Sequence, residues 1–337
     1  MALRKARAAV GPSPEVEAVT NELLGKGNAV DAVIAGVFAA CALSPGTLLG
    51  PVQLLVGGAG AGLLAVDGRV RQPGLGAPRP RGFQSAEEIP DAARVGVPWL
   101  PAAMSVALAT MGSATFHAVV APAVALAKGT ARADVLARIQ SRGQRAFEDK
   151  ALGGELVYAF GRTNGGLLTP EDLASAQPDV QKAIRVARGD AGIVTVPWAH
   201  VEDRRLAAPA GEVDVARVRA VAAVDRNATF ALACWDEATD GRYLEELGLR
   251  APFFAEPVRR GETRVKPGDV RPAAAPIAMI AGAAPEIAFA SYGASDAYDM
   301  LAQAIEGYLE RRVIDAHGEA RLVALTHANQ TASILRS

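Results

Sequence analysis

The stretch from Ala29 to Leu43 carries one charge, Asp31, and otherwise reads Ala, Val, Ile, Phe, Leu, Gly and Cys. It is too short to cross a bilayer comfortably. Asn28 is a good N-cap, and Asp31 three residues later favours the positive end of a helix. Ser44-Pro45-Gly46 stops it. A helix with no polar face must be covered all round, so this segment is expected as a buried helix inside a layered fold. Pro14 to Gly25 has helical periodicity and supplies a neighbour.

Pro98 to Thr110 and Ala118 to Lys128 read as further Ala-rich helices running to a glycine, the first with Pro at its opening. A strand pair is expected from Gly62 to Val66 and from Val70 onward, turned by Asp67-Gly68. From Ile193 the pattern changes to short apolar runs: 193–196, 218–224, 229–235, 275–280 and 287–291. These are candidate strands of a central sheet. Ser295 to Arg312 reads as a helix, and the tail beyond it is open between strand and loose structure. Helices, then strands, then a helix fit a layered α/β (α+β) architecture.

With 337 residues, 50% hydrophobic and 21% charged, the chain can bury a large core as one or two fused domains. A formal net charge of −1, with the arginines spread along the chain, provides no field for nucleic acid. The charged start Met1 to Arg7 meets Gly11-Pro12-Ser13-Pro14 before any sufficient apolar core of a secretion signal. A cytoplasmic protein without a membrane span is therefore expected. Cys41 and Cys234 lie in apolar runs and read as buried free thiols. His117, His200, His317 and His327 lack paired ligand spacing, so neither metal nor cofactor is expected. The Gly57 to Gly62 run misses the dinucleotide fingerprint and leads into a strand, not a helix.

Four motifs follow in order: Gly27-Asn28-Ala29-Val30-Asp31-Ala32, Val97-Pro98 after Gly96, the 121–127 run Ala-Pro-Ala-Val-Ala-Leu-Ala, and Asn164 to Leu173, which reads Asn-Gly-Gly-Leu-Leu-Thr-Pro-Glu-Asp-Leu. Together they closely resemble the gamma-glutamyltranspeptidase family. The resemblance covers about Gly25 to Tyr308 and implies the N-terminal-nucleophile hydrolase fold, a four-layer αββα sandwich. It divides the chain into a mainly helical, large-subunit-like part (1–180), a connector (181–217) much shorter than the family's, and a small-subunit-like part of sheet and helix (218–337), expected as one fused unit.

In that family a precursor cuts itself before a Thr that becomes nucleophile and base in one residue. Anchoring the segment on Asp225 puts Val218 at that position, with neither hydroxyl nor thiol. The nearest nucleophile types, Thr229 and Cys234, lie within the next strand. The family's carboxylate-anchoring Arg corresponds to Gly74, flanked by Arg71 and Arg79, which either substitute for it or, as the preferred reading, are solvated surface arginines. Its paired serines correspond to Ala273 to Ala275. Its oxyanion turn corresponds to Gly293-Ala294, whose backbone donors survive the change to Ala. No catalytic residue is therefore assigned. The candidate cleft residues are Gly74, Asp225, Asp236, Ser291, Tyr292, Gly293, Ala294 and Ser295.

Three readings follow. The first is a non-catalytic, uncleaved scaffold or regulatory subunit that binds another copy or a catalytic paralogue. The second is a divergent amide or acyl hydrolase or transferase in the same cleft. The third is a binding module for a small anionic ligand.

Overall fold

The structure, a computed structural model, describes residues 7–58, 60, 62–78, 82–188, 191–211, 213–328 and 331–336. Met1 to Ala6, Ala59 and Ala61 of the Gly-rich run, and Arg79 lie outside the described residues.

Strand β1 (Ala8–Val10) leads into α1 (Pro14–Lys26), capped by the Ser13 hydroxyl, and α2 (Ala29–Leu43). Asn28 and Asp31 close a reciprocal capping box at the start of α2. All but one of the α2 residues are buried, as an all-round apolar helix requires. The hairpin β2 (Val52–Gly58) and β3 (Gly62–Gly68) follows. Next come α3 (Leu100–Met111), α4 (Phe116–Leu126), α5 (Arg132–Arg142), α6 (Leu152–Phe160) and α7 (Pro170–Ala174).

Residues 181–217 are built mainly of short strands. They hold most of β4 (Val180–Lys182), then β5 (Ile184–Arg188), β6 (Ala191–Thr195) and the small hairpin β7 (His200–Glu202) and β8 (Arg205–Ala207). The rest comprises β9 (Val218–Val224), β10 (Phe230–Asp236), the hairpin β11 (Arg242–Leu244) and β12 (Leu249–Ala251), β13 (Ile277–Ala281), β14 (Pro285–Tyr292) and α8 (Ala297–Arg311). The tail forms a further hairpin, β15 (Arg321–Ala328) and β16 (Thr331–Arg336).

Two six-stranded sheets result, ordered β1-β9-β10-β2-β3-β4 and β16-β15-β14-β13-β6-β5, with every pairing antiparallel. One face of the first sheet packs on α1, α2 and α3 through Leu54, Val56, Val221 and Ala233, with α4 to α6 completing that helical layer's core. Its other face meets the second sheet through Leu55, Val218, Ala220 and Leu232, and α8 covers the second sheet's far side with Leu301 and Ile305. This is a four-layer αββα sandwich. Apolar residues on both faces of β9 and β10 give the unbroken runs seen in the sequence.

One expected turn is corrected. Asp67-Gly68 does not reverse the chain but ends β3, whose hairpin partner is β2, so the reversal falls at the Gly-rich run between Gly58 and Gly62. Asp67 is 6% exposed and accepts from Arg69 and Arg71. Its carboxylate serves a buried ion cluster where Asp-Gly ordinarily signals a tight turn.

Candidate functional site

Two of the four motifs that carry the resemblance are carboxylate-held turns. Asp31 accepts hydrogen bonds from the backbone N–H of Asn28, Ser113 and Ala114 and from the Ser113 hydroxyl. A Cβ on Gly27 would stand 2.2 Å from its Oδ2, which explains the glycine. Asp172 closes a capping box with Thr169 and accepts from the N–H of Gly74 and Leu75. Burial pushes its carboxyl up, against those backbone donors that favour the charge. Asp225 accepts from Asn227 and Thr229 in the β9–β10 turn and from Ala29 at the start of α2. Asp225 is thus a structural tie among the candidate cleft residues.

Val218 opens β9 at the opposite end from Asp225, about 23 Å away at strand rise. Its side chain lies between the sheets, 2% exposed, and its N–H donates to Val215 O in a 3-10 turn over residues 215–217. Directly opposite stands Asp236. Arg217 gathers the acids here: its guanidinium lies 3.4 Å from Asp236 and 3.5 Å from Asp214, and contacts Asp240. The Asp236 contact is ionic without hydrogen-bond geometry, since Oδ1 of Asp236 and Nε of Arg217 have no hydrogen-bond partner. Burial, with Asp214 and Asp240 adding to it and Arg217 opposing, pushes the Asp236 carboxyl up to about 6. Arg219 pairs with Glu237 at 2.9 Å and donates to the carbonyls of Ala216 and Val218.

Of the remaining candidates the Gly293 turn approaches Val218 through Arg219, while Gly74 and Ser295 line separate cavities. Gly293 (φ +92°) is exposed and lies near Arg219. Ala294 beside it is partly buried against the inter-sheet core. Ser291 has the strand parity of Phe289, whose ring packs edge-on against Tyr308 of α8, so its orphaned, fully buried hydroxyl faces the helical layer. The Tyr292 phenol is pushed up by burial and sits beside Arg321. Ser295 lines a polar cavity of about 690 Å³ with Arg188, Glu202, Tyr298 and Asp299. Gly74 lines a separate cavity of about 270 Å³. Thr229 lies in the Asp225 turn, while Cys234 is wholly buried with its thiol pushed up, the opposite of an activated nucleophile.

The polar residues nearest the Ala273 to Ala275 segment escaped sequence reasoning. In one row across the first sheet, Ala220 of β9 faces Cys234, Cys234 faces Gln53, and Gln53 faces Asp67. Gln53 is 1% exposed; its amide donates to Ala274 O at 2.7 Å and accepts from the Trp198 indole N–H. Arg69 stacks over Trp198 at 4.7 Å. Arg71 is the second correction. It is 7% exposed, paired with Asp67 at 3.0 Å and stacked on Trp99 at 3.9 Å, so it is no surface arginine. Desolvation depresses its pKa, with Asp67 opposing. A glutamine interrupting the apolar run Val52 to Val56 was the available signal.

No described helix is long and apolar enough to cross a membrane. No family model matches the chain, and no curated protein matches its sequence. Among solved structures it is similar to cephalosporin acylase from Bacillus halodurans, at 14% identity and a TM-score of 0.70 over 98% of this chain and 96% of that one. It is also similar to gamma-glutamyltranspeptidase from Helicobacter pylori, at 20% identity and a TM-score of 0.52 over 59% of this chain and 72% of that one. At such identities the likeness is one of fold. Layer order, sheet composition and these neighbours together give the chain the αββα fold of the N-terminal-nucleophile hydrolases.

Proposed function

We propose that this chain is a non-catalytic member of the fold, an uncleaved scaffold or regulatory subunit of a larger cytoplasmic assembly whose partner is another copy or a catalytic paralogue. The observation that carries the reading is Val218. It stands first in β9, where the sequence resemblance puts the nucleophile, it is 2% exposed, and its side chain can neither attack a carbonyl nor form an acyl-enzyme. Ala273 to Ala275 bring no hydroxyls, and Gln53 occupies the carbonyl of Ala274. What persists are the turns held by Asp31, Asp172 and Asp225, which serve folding.

A denaturing gel with intact-mass measurement of purified protein tests the first half of the proposal. One species at 34.8 kDa is expected. Two fragments divided before residue 218 would overturn it. Affinity purification from the native host tests the second half, and a partner in fixed ratio is expected. A lone monomer refutes the scaffold role.

A further inference from the structure

We infer that the outer edge of β16 is an interaction surface on which a second copy of this chain adds its own β16, antiparallel about a two-fold axis. The inference rests on that part of the proposed function which takes another copy as partner, and it supplies the surface. Four strands end the two sheets, and three of them are blunted. β1 is three residues long and wholly buried. β4 is equally short and ends in the exposed Lys182. β5 carries Arg185 and Arg188, and charges on an edge strand discourage a further strand. β16, by contrast, runs from Thr331 to Arg336 without proline, glycine or bulge and keeps an unbroken register with β15. No described backbone group bonds to its outer side. Its one charge, Arg336, is bonded to Glu17 of α1 at 2.8 Å.

The side chains of β16 select the strand that covers it. Leu335, 50% exposed, shares a row with Ala324 and Phe289 on the face toward α8, while Ile334, 36% exposed, shares a row with Leu325 on the face toward the first sheet. Ile314, Ala316 and Leu335 line a hollow of about 240 Å³ beside the strand. An added strand must therefore be apolar on both faces, and β16 itself is. Two identical antiparallel strands in one sheet are related by an axis through the sheet, so a residue on the axis meets itself and every pair keeps its face. Centred on Ile334, the pairing sets Ser333 beside Leu335 and Ala332 beside Arg336 of the second copy. No like charges then stand opposite. The contact is isologous and closes at two copies.

Sedimentation velocity of the full chain over a dilution series tests this. A dimer of twice 34.8 kDa is expected. Ile334→Lys and Ile334→Glu each put like charges face to face on the axis and are expected to weaken the dimer at least roughly tenfold; an equimolar mixture of the two recovers it, because opposite charges then meet. Should these variants not fold, Leu335→Lys, at the more exposed neighbouring position, is expected to give the same loss. Ala187→Lys, exposed on β5, is expected to leave the dimer intact. A wild type that is monomeric throughout, a dimer indifferent to charge at these β16 positions, a mixture that stays monomeric, or a dimer lost with Ala187→Lys overturns the inference. Each of those outcomes leaves the scaffold reading standing if affinity purification returns a partner in fixed ratio, whereas fragments on the denaturing gel would sink the non-catalytic reading and leave this surface in place.

Discussion

Replacing Asp236 with Asn separates the cost of its buried charge from everything else at the start of β9. The carboxyl ionises near 3.8 in an open chain and at about 6 in the fold. At 1.36 kcal/mol per tenfold change in proton affinity, that gap corresponds to about 3 kcal/mol. The sign follows from which state holds the proton. Well below pH 3.8 both do, and the group's contribution to stability is complete. As pH rises to 6 the unfolded chain releases its proton while the native chain retains it, so stability falls. Above 6 the native chain carries an ionised, desolvated carboxylate. Asn at this position does not titrate, and Arg217 retains Asp214 and Asp240. Urea unfolding of both proteins at pH 4.5 and 7.5 gives four free energies whose double difference cancels the titrating groups not coupled to Asp236. Of the 3 kcal/mol, about 2 kcal/mol falls between those two values, so the wild type should lose about 2 kcal/mol more than Asp236→Asn. Equal pH dependence in the two proteins would refute the reasoning.

Val218→Thr buries a hydroxyl between the sheets and should cost about 1–3 kcal/mol in denaturant titrations. It should still run as one band on a denaturing gel; fragments would mean that the rest of the site is competent. Asp31→Ala strips four part-buried donors of their shared, fully buried acceptor and should destabilise by about 1–3 kcal/mol. A loss under about 1 kcal/mol would remove Asp31 from its role in holding that turn. Trp198→Phe leaves the buried Gln53 oxygen without its donor and should cost about 1–3 kcal/mol by the same measurement.

Elements whose signals are local were legible in the sequence. Asn28 with Asp31 fixed the start of α2, and β9 carried the boundaries its apolar run suggested. β2 escaped because Gln53 and the closing glycines interrupt its apolar pattern, although that glutamine is bonded across the inter-sheet space. The Asp67-Gly68 pair misled because turn chemistry and a buried ion cluster begin with the same residue. For the site, residue identity was legible and convergence was not. Val218 opens β9 and Asp225 follows its far end, and Ser291 and Tyr292 are neighbours that face opposite ways. The Arg217 cluster joins Asp214, Asp236 and Asp240, which no short motif groups.

The bond from Ala29 to Asp225 spans 196 residues, and β1 finds its partner only in β9. During synthesis at about 5–20 residues per second, α2 emerges roughly 10–40 s before the strand that covers it. α4 can cover one side of that helix as soon as it is made, but the face that packs on β9 and β10 stays open for the whole interval. A chain halted before β9 would leave that surface, and the β2 edge that β10 later pairs, open to other molecules. Recovery of soluble protein should therefore depend on chaperone capacity and growth temperature more than on the stability of the finished fold.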